Sequence, residues 1–129
     1  MPKKILIAED DMALAKALRL KLTNAGLAVM VVEDGAMALA ELKRAAYDLL
    51  LLDLMMPNVD GFAVLAAIKQ MKKKPIIFVA SNLSQASDKN RALKLGADDY
   101  LVKADVSLAE IVAKIKKALK VQRSLKLKI

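Results

Sequence analysis

The chain has 129 residues, enough for one domain around a single core, and 57% of them are hydrophobic. Only 3% are aromatic and Trp is absent, which argues for an aliphatic core and against the stacking platforms of single-strand nucleic-acid binding. With neither Cys nor His, disulfides, thiolate or imidazole metal sites and His bases are excluded, so carboxylate, hydroxyl and amine chemistry remains to carry a formal charge of +8.

Lys4 to Ala8 is aliphatic and β-branched and reads as a first strand. Asp10 or Asp11 then offers an N-cap for a helix from Met12 to Ala25, where Leu14, Ala17, Leu18 and Leu22 repeat at helical spacing and Gly26 is the stop. Ala28 to Val32 is a second strand. A turn at Glu33, Asp34 and Gly35 leads into an amphipathic helix to about Ala46, with Met37, Leu39, Ala40 and Leu42 as its apolar positions. Asp48 opens the run Leu49 to Leu52, unbroken as expected for a central strand covered on both faces.

Pro57 and Gly61 punctuate a loop, and Phe62 to Met71 reads as a third helix broken by Lys72, Lys73, Lys74 and Pro75. Ile76 to Ala80 forms a fourth strand and Ser84 to Leu95 a fourth helix closed by Gly96. Asp99 to Val102 is a short fifth strand, and Ser107 caps a last helix beginning near Leu108.

Such strict alternation predicts an α/β fold, a single doubly wound five-stranded parallel sheet with its five helices on both faces. One domain is expected over residues 1–121, with 122–129 as a basic C-terminal tail or an extension of the last helix. From Ser107 onward seven basic residues stand against Glu110 alone. The plainest reading of that excess is the solvated face of a helix. The apolar run behind Met1, Pro2, Lys3 and Lys4 stops at Glu9, too short for a signal peptide or a membrane span, so the expected address is cytoplasmic.

Parallel strands joined by helices put their C-terminal ends on one rim, where binding sites of open sheets lie. That rim gathers Glu9 and Asp10, Asp53, Ser81 and Lys103. Taken singly, Asp10 and Asp11 are helix caps, Asp53 a loop-entry carboxylate, Ser81 a turn hydroxyl and Lys103 a solvated lysine. Taken together they form a hard-oxygen pocket suited to magnesium. Asp10 and Asp53 are its expected direct ligands, Glu9 acts through a water, and the backbone carbonyl of Met55 supplies a further oxygen. Asp53 is then placed as a nucleophile that becomes an aspartyl phosphate, with Ser81 and Lys103 contacting the phosphoryl oxygens. The seven methionines are core and loop filler, since thioether is too soft for magnesium.

From Lys4 to about Val121 the chain resembles the receiver domains of two-component response regulators, chemotaxis receivers among them. The resemblance is carried by Ile5-Leu6-Ile7-Ala8-Glu9-Asp10-Asp11, by Asp48 through Asp53-Leu54-Met55-Met56-Pro57-Asn58-Val59-Asp60-Gly61, by Ser81-Asn82 and by Gly96 through Lys103. It implies a flavodoxin-like sheet of strand order 2-1-3-4-5 and a phosphoprotein of phosphorelay signal transduction rather than an enzyme with a separate substrate. It further implies magnesium-dependent phosphorylation of Asp53 by a sensor histidine kinase, a phosphotransfer protein or a small phosphodonor. Output toward a downstream protein follows by population shift: Ser81 moves toward the phosphoryl group and Tyr100 turns inward, reshaping the surface of the fourth helix, fifth strand and fifth helix. The resemblance leaves open a monomer or a phosphorylation-dependent dimer.

Two positions depart from the family pattern. Ala104 stands where a proline with a cis bond is usual; a cis bond before a non-proline residue costs roughly 3 kcal/mol, so a trans bond that aims Lys103 differently is expected. Asn82 is larger than the small residue usual after the hydroxyl, narrowing access for water or phosphodonor. Two other readings stand beside the switch. One is a receiver-fold scaffold or engineered sequence without signalling. The other is a basic last helix docking on an acidic partner or nucleic acid, which salt dependence would test.

Overall fold

The computed structural model describes residues 2–120, and the expected 122–129 tail lies outside them. Five strands alternate with five α-helices: β1 (Lys4–Ala8), α1 (Met12–Asn24), β2 (Ala28–Val32), α2 (Gly35–Arg44), β3 (Leu49–Leu52), α3 (Gly61–Lys69), β4 (Ile76–Ser81), α4 (Ala86–Lys94), β5 (Asp99–Val102) and α5 (Leu108–Ala118). A 3₁₀ turn, Lys103–Asp105, joins β5 to the loop before α5. The sheet is wholly parallel in the order β2-β1-β3-β4-β5. The chain starts at β1, steps outward to β2 and then crosses to β3, so the topological switch point lies between β1 and β3.

Side chains alternate across each strand and divide the core in two. Leu6, Ala8, Leu50, Leu52, Ile77 and Val79 pack with Ala38 and Leu42 of α2, Val64, Leu65 and Ile68 of α3, and Ala92 of α4. On the opposite face, Ile5, Ile7, Leu49, Leu51, Phe78 and Leu101 meet Leu18 and Leu22 of α1 and Ile111 and Ile115 of α5. All four leucines of β3 are buried, which explains why that segment reads as an unbroken run. Each contributes about 1.5–3 kcal/mol relative to an exposed side chain.

Helix starts follow side-chain capping. Asp11, not Asp10, caps α1 by accepting from the backbone N–H of Ala13 and Leu14. Asp34 caps α2 and Asp60 caps α3. Ser107 and Glu110 form a reciprocal capping box at α5.

Several boundaries differ from the sequence expectation. α1 ends at Asn24, α2 stops at Arg44, α3 ends at Lys69, and α4 begins at Ala86 rather than Ser84. Met37, expected on the apolar stripe of α2, is 45% exposed, because Ala38 and Leu42 face the sheet instead. β4 runs one residue further than its apolar run and includes Ser81. Among the described residues, no helix is long and apolar enough to cross a membrane.

Candidate functional site

The backbone ladder reaches past the strand ends and places the first two groups of the site. Glu9 donates its N–H to the Val32 carbonyl at 3.0 Å, and Asp53 donates its own to Ala8 at 3.0 Å. Both side chains are thereby fixed at the C-terminal rim on either side of the switch point, and both residues are buried. Asp11 is committed to capping α1, and the exposed Asp10 accepts no backbone hydrogen bond among the described residues. Carboxylate oxygens of Glu9, Asp10 and Asp53 all lie within 4.8 Å of one another.

β4 and β5 bring the remaining groups. Their register pairs Ser81 with Val102, so Lys103 leaves the sheet beside the Ser81 end. Its ammonium lies 2.6 Å from Glu9 Oε1 and 3.2 Å from Asp53 Oδ2. There is no cis peptide bond among the described residues, so the Lys103–Ala104 bond is trans, as Ala104 leads one to expect. With that trans bond the lysine reaches the acidic cluster.

The electrostatics follow from crowding. Burial pushes the Glu9 carboxyl up; hydrogen bonds from Lys103 and from the Asp11 N–H, and the Lys103 charge, oppose it, while the Asp53 charge assists it, leaving a pKa of about 7. Burial pulls Lys103 down, but the Glu9 hydrogen bond and the charges of Asp53 and Glu9 outweigh it and hold the ammonium above its ordinary value. Two buried carboxylates therefore share one ammonium, with the Asp10 carboxylate beside them. Hard oxygens at this spacing, with an excess of negative charge, fit a divalent ion of the magnesium type.

Asp53 is held from its other oxygen as well, since Oδ1 accepts from the Met55 N–H at 3.1 Å. Gly61 packs against the same turn so closely that a Cβ there would lie 2.5 Å from the Asp53 carbonyl oxygen and 2.6 Å from Leu54 Cα. A side chain at position 61 would push on the backbone that positions Asp53.

Ser81 is fully buried, and its Oγ accepts from the Leu83 N–H at 3.2 Å. Tyr100 is only 8% exposed and donates its hydroxyl to the Leu83 carbonyl at 2.7 Å. Asn82 is exposed at the rim of the same loop. The backbone of Leu83, gripped at both ends by Ser81 and Tyr100, is a feature that sequence reasoning missed, because no side-chain pattern marks a backbone partner. Asn58 was also missed: it has a left-handed φ of 66° and donates Nδ2 to Asp34 Oδ2 at 2.9 Å, tying the loop after β3 to the start of α2. The tolerance of Asn for that conformation was the available signal.

A doubly wound sheet with an acidic pocket, a hydroxyl and a lysine at its switch point defines a phosphate- or metal-handling α/β domain. Residues 5–116 match the family described as the response regulator receiver domain. The chain belongs to that family. It is 38% identical over 118 residues to the response regulator ArlR of Staphylococcus epidermidis, a match that covers 92% of this chain and 53% of ArlR. It is 40% identical over 116 residues to the sensory transduction protein RegX3 of Mycobacterium tuberculosis, covering 90% and 50% of the two chains. The chain thus spans about half the length of the curated relatives it matches. Among solved structures, the Francisella response regulator 1452 receiver domain superposes with a TM-score of 0.85 at 30% identity, covering 92% of this chain and 97% of that one. The phosphorylated cyanobacterial phytochrome response regulator RcpA gives 0.82 at 30% identity, covering 91% and 93%.

Proposed function

We propose that this domain is a phospho-accepting switch in which Asp53 takes a phosphoryl group from a sensor histidine kinase or a phosphotransfer protein. The observation that carries the reading is the meeting of Asp53, at the end of the central strand, with Lys103 at 3.2 Å and the Glu9 and Asp10 carboxylates within 4.8 Å. Similarity to a response regulator solved in its phosphorylated form supports it.

In the transfer, a carboxylate oxygen of Asp53 attacks phosphorus, an acyl phosphate bond forms, and the bond from phosphorus to the donor's nitrogen or oxygen breaks with its electron pair. Asp10, Asp53 and the Met55 carbonyl would hold magnesium directly, and Glu9 through a water. When bound, the ion offsets the charge of the carboxylates and of the incoming group. Lys103 lies on the Asp53 oxygen and is placed to pair with a phosphoryl oxygen once it arrives. Ser81 exchanges its contact with the Leu83 N–H for a hydrogen bond donated to a second one.

Both Ser81 and Tyr100 act on Leu83, so that exchange reaches the segment entering α4. Few side chains anchor that helix; Ala92 is its only buried residue. A change there shifts the population of the surface made by α4, β5 and α5, which is offered to a downstream protein.

The test is incubation with a small phosphodonor such as acetyl phosphate and magnesium, read by intact mass. The parent protein gains one phosphoryl unit, while Asp53→Asn, which keeps shape and loses the nucleophile, gains none. Equal uptake by the variant would overturn the assignment. Amide NMR shifts on adding beryllofluoride should spread from Asp53 through Leu83 and Tyr100 into α4; shifts confined to the pocket would remove the switch.

A further inference from the structure

The opposite end of the sheet carries a second concave site, which the phosphoryl chemistry does not use. A cavity of about 660 Å³ opens at the N-terminal ends of β1, β3 and β4, between the C-terminal end of α2 and the loop that follows α3. That volume is within the range of about 300–1,000 Å³ usual for small-molecule sites. Across strands of four to six residues, it lies roughly 15 Å from the carboxylate rim.

Six of the residues that line it are cationic. Lys43 and Arg44 come from the end of α2, Lys72, Lys73 and Lys74 from the loop after α3, and Lys4 from β1. All six are exposed. The one acidic residue in the lining, Asp48, accepts at Oδ2 from the Lys4 backbone N–H at 2.7 Å and offsets one of the six charges. Glu41, next to the cavity, is engaged by Arg44 and by the Tyr47 hydroxyl. Among the described residues, Lys43, Lys72, Lys73 and Lys74 have no ion-pair partner.

Helix dipoles do not account for this concentration. The C-terminal ends of α2 and α3 each offer about half an elementary negative charge, roughly one in all, against the four positive charges left once Glu41 is set against Arg44 and Asp48 against a lysine. What remains is an excess of positive charge that a bound anion would offset. The cavity floor is organised as well. Tyr47, held by Glu41, carries the Lys4 ammonium 4.9 Å above its ring, and Leu42, Met71 and Ile76 supply apolar wall. Lysines predominate over arginine, and point-like ammonium groups suit phosphate oxygens arrayed in space rather than a single planar carboxylate.

We propose that this cavity binds a small ligand carrying two or more linked phosphate groups. The chain's own C-terminal tail is no competitor, since Arg123, Lys126 and Lys128 give it the same sign of charge. Two sources share the chemistry, an inorganic phosphate chain and a nucleoside diphosphate whose base would lie on Tyr47.

The experiment is calorimetric titration of the full chain with pyrophosphate, tripolyphosphate and ADP, in a chelator that keeps divalent ions off the carboxylate rim. Salt is held at physiological strength, where the Debye length is about 8 Å and diffuse attraction is damped. The Lys72→Glu, Lys73→Glu, Lys74→Glu triple variant is compared with the charge-matched Lys16→Glu, Arg19→Glu, Lys21→Glu variant of α1, both checked for parent-like circular dichroism. The cavity variant should bind at least about tenfold more weakly than the parent, and the α1 variant within about twofold of it. Tighter binding of ADP than of pyrophosphate would assign the nucleotide, and the reverse order the inorganic chain. No binding by the parent, or equal loss in both variants, would overturn the site.

Discussion

Replacing Asp53 by Asn in the metal-free protein is expected to raise stability, although the residue sits at the centre of the site. The carboxylate faces two others, Glu9 and Asp10, whose oxygens lie within 4.8 Å, and one cation, Lys103, at 3.2 Å. At an effective dielectric of about 20, each repulsion is worth about 3.5 kcal/mol and the attraction about 5 kcal/mol, leaving Asp53 unfavourable by about 2 kcal/mol. Asp10 is exposed, and solvent screening of up to half its share brings the net to between about 0 and 2 kcal/mol. Asn keeps an oxygen for the Met55 N–H, and Lys103 keeps Glu9 at 2.6 Å, so no buried partner is abandoned.

Urea denaturation in a chelator at about pH 8, above the raised value of Glu9, gives the comparison, and the gain corresponds to at most about 8 °C in melting temperature. Adding magnesium should reverse the order, because only the parent retains the full set of oxygens. At a hundredfold excess over its dissociation constant the ion stabilises the parent by about 2.7 kcal/mol. An Asp53→Asn variant less stable than the parent without metal would refute the crowding argument. Equal stabilisation of both proteins by magnesium would refute the ligand assignment.

The two tyrosines provide a pH test, read as tyrosinate absorbance with no Trp to interfere. Burial, and then the Glu41 hydrogen bond, pushes Tyr47 up to about 12, and burial followed by the Asp88 charge raises Tyr100. The folded state therefore holds both phenolic protons more tightly than the unfolded chain, whose value is about 10. Their contribution is fully present below pH 10 and is lost as pH rises through the folded values; a native step centred near 10 would contradict the structure. Gly61→Ala should cost about 1–3 kcal/mol, since the new methyl meets backbone that has to move, and an unchanged urea midpoint would disprove the close approach. Ser107→Ala, which opens the capping box of α5, should cost about 1 kcal/mol, with an Ala that leaves the unfolding midpoint in place counting against the box.

Local chemistry made much of this protein legible in its residues. The buried run Leu49–Leu52, the Ser107 cap and the alternation of strands with helices depend on neighbours within a few positions, so periodicity and capping rules reach them. The candidate rim was legible for a related reason: a parallel sheet puts every strand's C-terminal end on one side, and Glu9, Asp10, Asp53, Ser81 and Lys103 each stand at such an end.

Tertiary structure decided what depends on which distant groups meet. Asp10 and Asp11 are equivalent along the chain until the path into α1 commits Asp11 to backbone N–H groups and leaves Asp10 at the rim. Met37 and Ala38 compete for the buried face of α2, and the seating of a ten-residue helix against the sheet exposes the larger side chain. The reach of Lys103 past a trans bond to Ala104 is set by the spacing of β3 and β5 across β4. Lys43 and Arg44, some thirty positions before Lys72 to Lys74, share a cavity only because parallel pairing brings the ends of two helices to one edge of the sheet. Propensity acts over a turn or a strand, whereas charge and hydrogen bonding act through space, and the fold sets those distances.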